Sequence, residues 1–243
     1  LQAKEVAEDM GFTVLHMYVD CLFVQQEGFH RPSDFTKLMN AIEEKTSIPI
    51  ALEGVFKWVA FLASKRDARV PVPNQYFGAF QDGTLKYRGI ELRRRDTTLW
   101  VRKIQFAVLE VLAGANTPQD FADRIPDVMA LVEGAKRDLR IGRVPLEELV
   151  VRQRLSRTIE AYKTPSPAAR AARQLQAHGR QFAPGQSLEF LFTRSGSGVQ
   201  AWELDDVLIP GRPDTKRYCR LLDQAMRTVC DPYRSQLAPQ TLF

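Results

Sequence analysis

Cysteine and histidine are both scarce in this 243-residue chain, with three of each. Cys21, Cys219 and Cys230 lie far apart, and His16, His30 and His178 share no ligand spacing with one another or with the cysteines. This argues against a disulfide framework and against a structural zinc site. Free thiols in a reducing intracellular compartment are expected, which for a prokaryotic source is the cytoplasm beside the nucleoid. Long apolar runs are missing as well. No stretch approaches the roughly 18 residues of a membrane span, so no membrane partner is expected. Internal repeats and low-complexity tracts are also absent. The opening residues, Leu1-Gln2-Ala3-Lys4-Glu5-Val6, have neither an initiator Met nor a charged-then-apolar leader. They read as the interior of an amphipathic helix, and the chain is expected to be a piece of something longer.

What is present is an ordinary globular balance, 44% apolar and 26% charged residues, enough to build a core. Charge is unevenly spread. The chain carries a formal +5, yet residues 1–60 hold 5 basic and 9 acidic residues while residues 88–180 hold 18 and 11. An excess of +7 over the middle of the chain points to an acidic partner, nucleic acid being the commonest. Arg-rich helix faces turned to solvent are the plainer alternative, and an acidic protein partner is a third.

The pattern predicts an α+β fold, with a hairpin and a small mixed sheet with helices first and a mostly helical basic region after it. Residues 1–10 read as a helix stopped at Gly11. Phe12 to Tyr18 and Leu22-Phe23-Val24 read as a hairpin with Asp20 at its tip. Pro32-Ser33-Asp34 opens a helix with Phe35, Leu38, Met39 and Ile42 on one face. Strands are predicted over 55–63 and 75–87, separated by Lys65-Arg66-Asp67 and the Pro-rich 70–73, with a turn at Asp82-Gly83. From about Asp96 the period becomes helical. Leu99, Ile104, Val108, Leu109 and Leu112 share a stripe, and a second helix starts at Thr117-Pro118 and runs to about Gly134. Residues 167–178 predict an Ala-rich helix, 188–192 a strand, and 214–229 a last amphipathic helix. Trp58, Trp100 and Trp202 are assigned to the core and not to base stacking.

The order of these features resembles that of family B DNA polymerases. The stretch from Gly11 to Val24 resembles the family's motif C hairpin, whose tip is an aromatic-x-Asp-Thr-Asp-Ser sequence. Leu52 to Lys57 is similar to the family's Glu-rich strand, and Ala63-Ser64-Lys65-Arg66-Asp67-Ala68 to its Lys-Lys-Arg-Tyr element. Arg88 to Asp96 is similar to the Gly-hydrophobic-Glu-x-x-Arg-Arg-Asp segment that enters the thumb. Leu155, Tyr162-Lys163, the Ala-rich helix with Gly179, and Pro184-Gly185-Gln186 follow in the thumb's order. The resemblance implies the C-terminal part of a polymerase palm in residues 1–95 and a thumb in 96–243.

It further implies nucleotidyl transfer from dNTP to a primer 3′-hydroxyl with two Mg²⁺ ions, which need hard carboxylate oxygens. Asp20 matches the second, metal-binding Asp of motif C. It is the implied catalytic and metal residue, the alternative being a polar hairpin residue. Lys65, Arg66, Arg94 and Arg95 are the implied contacts to primer–template duplex, against the alternative of solvated charge. Arginine suits this role because guanidinium grips phosphate without reading sequence. Tyr162-Lys163 is divided between thumb packing and phosphate contact. Departures accompany the matches. Tyr18 stands where the first Asp of the pair belongs, Val19 replaces Thr, Pro49 and Ala51 replace carboxylates beside Glu53, and Ser64 and Asp67 break the Lys-Lys-Arg-Tyr element. The chain therefore reads as part of a polymerase that, alone, extends no primer and meets dNTP only with upstream domains. The other reading is a catalytically degenerate DNA-binding module with a structural or recruiting role.

Overall fold

The computed structural model describes residues 1–64, 67, 70–194, 196–202 and 212–237. The chain divides into two compact units, Leu1–Lys86 and Tyr87–Phe243, and the fold is α+β, as the sequence pattern predicts.

In the first unit, helix α1 (Gln2–Asp9) ends before Gly11, whose φ of +85° is the left-handed conformation that glycine adopts without a Cβ clash. Strands β1 (Thr13–Tyr18) and β2 (Cys21–Gln25) pair antiparallel, with Tyr18 opposite Cys21, so that Val19 and Asp20 form the turn. A 3-10 turn at Pro32–Phe35 leads into α2 (Thr36–Thr46), and the carboxylate of Asp34 accepts from the backbone N–H groups of His30 and Arg31. Ala7, Phe12, Phe35, Leu38 and Ile42 bury together beneath the hairpin. Its other face meets β3 (Phe56–Ala63) and β4 (Pro71–Phe80) through a ring cluster: His16 lies 4.9 Å from Phe61, and Phe23 5.1 Å from Tyr76. Strand order is β3-β4-β5, with β5 (Leu85–Arg88) last. Gly78 is required by packing, since a Cβ there would sit 2.6 Å from the carbonyl oxygen of Trp58.

Strand β4 starts earlier than the sequence suggests. Pro71 lies opposite Ala63 and Tyr76 opposite Phe61, so residues 72–75 bulge outward against the single residue Leu62. Asn74 has φ +57°, and a bulge is where a strand tolerates proline's missing N–H.

In the second unit, α3 (Leu99–Ala113) starts at Thr98, whose hydroxyl accepts from the N–H of Val101 at 3.3 Å. Such caps contribute about 1 kcal/mol. Trp100, Val101, Ile104, Val108, Leu109 and Leu112 bury one face. Helix α4 (Pro118–Arg140) runs past the predicted stop at Gly134. A glycine inside a helix costs only about 1 kcal/mol, and the buried stripe of Val128, Val132 and Leu139 carries across it. Next come α5 (Leu146–Leu149), β6 (Val151–Arg154) and α6 (Pro167–Ala177). Strands β7 (Ser187–Phe192) and β8 (Val199–Ala201) precede α7 (Thr215–Leu237), which continues beyond the predicted end at 229. The sequence predicted only β7 of the antiparallel sheet β6-β7-β8. Tyr218, fully buried, ties the unit together: its hydroxyl donates to the carbonyl of Leu149 and accepts from the N–H of Phe192, both at 2.9 Å. Burial pushes its phenol well above the ordinary value.

Candidate nucleic-acid interface

Asp20 sits at the exposed tip of the β1–β2 hairpin, with Val19 beside it 94% exposed. In this two-residue turn the Asp20 carboxylate makes no hydrogen bond or ion pair among the described residues. Tyr18, next to the turn, presents an exposed ring. Glu53, the remaining carboxylate of the Glu-rich strand, is held by the ammonium of Lys86. Among the described residues no group of three or more His, Cys, Asp or Glu side chains gathers into a metal site. Lys65 and Arg66 lie outside the described residues.

The arginine run is built differently. Glu91–Arg93 forms a 3-10 turn, and Arg93, Arg94 and Arg95 all end exposed. The turn is anchored from below by Gln105, buried to 0% exposure on α3. Its amide oxygen accepts from the N–H of Leu92 at 2.7 Å, and its amide nitrogen donates to Glu91 Oε2 at 3.0 Å and to the carbonyl of Ala225 at 2.9 Å. Thr228 on α7 donates to the other Glu91 oxygen at 3.0 Å. One buried amide therefore fixes the arginine segment to two helices. Sequence reading missed Gln105, although a glutamine falling within the apolar stripe of α3 was its visible signal.

The three arginines are not equivalent. Arg94 grips Asp96 with both ends of its guanidinium, Nε to Oδ1 at 3.2 Å and a terminal nitrogen to Oδ2 at 3.0 Å. That bond raises the Arg94 pKa further. Arg95 instead lines a cavity of about 260 Å³ together with Arg102, Arg152, Glu147, Glu189 and Trp202. Arg102 follows from the helical period of α3 and Arg152 from the outward positions of β6, but neither stood out in the sequence. Trp100 is core, at 4% exposure, whereas Trp202 is half-buried in the cavity wall. Tyr162 packs on its own loop: its hydroxyl accepts from the N–H of Ser156 at 3.0 Å, and the Arg157 guanidinium lies 5.6 Å from its ring. A hydrogen bond between the Ser156 hydroxyl and the Tyr162 hydroxyl, at 3.2 Å, does most to lower the phenol's pKa.

The sequence model of DNA polymerase family B matches residues 4–229. The chain belongs to DNA polymerase family B. It is 26% identical over 202 residues to DNA polymerase 1 of Saccharolobus solfataricus, an alignment covering 83% of this chain and 22% of that protein. It is 26% identical over 205 residues to the DNA polymerase of Archaeoglobus fulgidus, covering 84% of this chain and 24% of that one. The chain thus spans about a quarter or less of these family B relatives. Its fold is that of the family B DNA polymerase from the hyperthermophilic archaeon Pyrobaculum calidifontis, with a TM-score of 0.62 at 20% identity over 99% of this chain and 28% of that one.

Proposed function

We propose that this chain serves as the palm-to-thumb part of a DNA-templated DNA polymerase, with the palm in residues 1–95 and the thumb in 96–243. Its role is to hold primer–template duplex through phosphate contacts. The observation that carries the reading is the exposed Arg93–Arg95 segment, locked to α3 and α7 by the buried Gln105 in a family B chain. Rigidly mounted arginines grip phosphate at little entropic cost, and phosphate contacts hold any sequence. Arg95, Lys65 and Arg66 are the proposed contacts, with Arg94 available to phosphate only when it leaves Asp96.

Family B polymerases generally use divalent metal ions. A two-Mg²⁺ centre needs more than one carboxylate. Asp20 offers one at the hairpin tip, Tyr18 offers none, and Glu53 is occupied by Lys86. The described residues do not by themselves fit the metal pair, so the chain alone extends no primer. Asp20 is proposed as one Mg²⁺ ligand in a polymerase that supplies the others together with the dNTP site. Tyr18 and the Glu53–Lys86 pair favour a second reading, a DNA-binding module that has lost catalysis.

One experiment separates them. In a polymerase carrying this segment, Asp20→Ala abolishes Mg²⁺-dependent synthesis and leaves duplex affinity unchanged. Retained synthesis would remove Asp20 from the metal site. An unmutated polymerase that binds duplex yet incorporates nothing would favour the non-catalytic module.

A further inference from the structure

The cavity beside Arg95 has a composition that duplex holding does not require. Its walls come from β6 (Arg152), β7 (Glu189), α5 (Glu147), the start of α3 (Leu99 and Arg102) and the end of β8 (Trp202). These are regular elements or their immediate ends, and the N–H of Trp202 is pinned to the carbonyl of Glu189 at 2.9 Å. Three arginines and two glutamates line the same space, and none of the five is in an ion pair or side-chain hydrogen bond among the described residues. The neighbouring carboxylate, Glu148, is by contrast taken up by Lys103 at 2.6 Å. Leu99, Val150 and the Trp202 indole supply an apolar wall.

We infer that this cavity binds a single unpaired nucleotide carrying an exocyclic amine, cytosine, adenine or guanine, and not thymine. Its phosphate lies on Arg102 and Arg152, its base stacks on Trp202, and its amino group donates to Glu147 or Glu189. The surplus of guanidinium over carboxylate favours an anion, and guanidinium matches phosphate geometry bidentately. An indole is a stacking platform for a base. Carboxylates repel phosphate, so two of them in an anion site need a second purpose, and accepting from a base amine is one. At about 260 Å³ the space falls below the roughly 300 Å³ at which drug-sized pockets begin. That leaves room for no more than one nucleotide. A single-stranded stretch of nucleic acid and a free nucleotide present the same chemistry.

The test titrates the 243-residue chain with dCMP, short oligo-dC, short oligo-dT and a blunt duplex, following anisotropy or tryptophan quenching. Oligo-dC is expected to bind more tightly than oligo-dT. Trp202→Ala is expected to weaken oligo-dC binding roughly 5- to 100-fold, while Trp202→Phe keeps most of it and duplex affinity is unmoved. Arg102→Gln, which leaves the indole in place, should also weaken oligo-dC and so carries the test if Trp202→Ala fails to fold. Binding of dCMP through the same residues identifies a free nucleotide as sufficient, and binding of oligo-dC alone identifies the strand as the source. Equal affinity for oligo-dC and oligo-dT, or full oligo-dC affinity in a folded Arg102→Gln chain, would overturn the inference. So would equal losses for duplex and oligo-dC in Trp202→Ala. Failure of the duplex to bind at all refutes the duplex-holding role and leaves the oligo-dC result standing on its own.

Discussion

Asp96 offers a way to ask how many arginines reach DNA, because it already holds one of them. Each phosphate neutralised by a cation contributes roughly 0.9 to the slope of log K against log salt. Arg94 and Arg95 together would therefore supply about 1.8 if both faced phosphate. The bidentate bond to Asp96, at 3.0 and 3.2 Å, compensates the Arg94 charge within the protein. Replacing both arginines by alanine should then flatten the slope by about 0.9, the contribution of Arg95 alone. Asp96→Asn keeps the side chain's shape and removes its charge. It should free Arg94 and steepen the slope by about 0.9. The assay is fluorescence anisotropy of a labelled duplex from about 50 to 200 mM salt, repeated with an unrelated sequence that should give the same slopes. An exposed ion pair contributes less than about 1 kcal/mol, so the melting temperature serves as a control that should hardly move. An unchanged slope in a folded Arg95→Ala chain would return that arginine to solvated charge. A loss near 1.8 in the double variant, with no effect of Asp96→Asn, would mean that Arg94 leaves Asp96 on binding.

Other outcomes follow from the packing. Gln105→Leu strands the N–H of Leu92, costing about 1–3 kcal/mol if left unpaired, and takes one donor from the Glu91 carboxylate, while the Ala225 carbonyl keeps its backbone partner within α7. At about 2–4 °C per kcal/mol for a unit of this size, thermal melting should fall by at least about 2 °C, and an unchanged melting point would refute the anchoring role. Asp120 accepts from the N–H of Asn116 and from the hydroxyl of Thr117 at the start of α4, both at 2.8 Å, and the Asn116 bond does most to lower its pKa below 3.8. A depressed folded-state pKa gives stability that is present above the ordinary value and lost as pH falls through the folded one. Asp120→Asn should therefore weaken the chain against urea at pH 6 and lose its effect near pH 2; a constant difference at both would refute the linkage. Tyr218→Phe removes a buried hydroxyl that bridges Leu149 and Phe192, and calorimetry should show a loss of about 1–3 kcal/mol.

The amino-acid sequence determined the elements whose signals are local. The β1–β2 hairpin, α2, the start of α3 and the Ala-rich α6 follow from apolar period, from Thr98 and Ser166 as caps, and from glycine where φ turns positive. The ordered motifs from Gly11 to Gln186 were enough to indicate the family. Tertiary structure decided the rest. Helix α4 passes Gly134 because Val132 and Leu139 bury on either side of it. Strands β6 and β8 exist because β7 lies between them, a pairing that no short stretch encodes. The charged residues depended on the fold most of all. In the sequence Arg94 and Arg95 look alike, and Glu53 looks like an available carboxylate. Only packing sets Asp96 against Arg94, closes Lys86 on Glu53, and brings Arg95, Arg102, Arg152, Glu189 and Trp202 around one cavity. Helix period and caps act over a few neighbouring residues, whereas the pairing of a charge depends on which distant segment folds beside it.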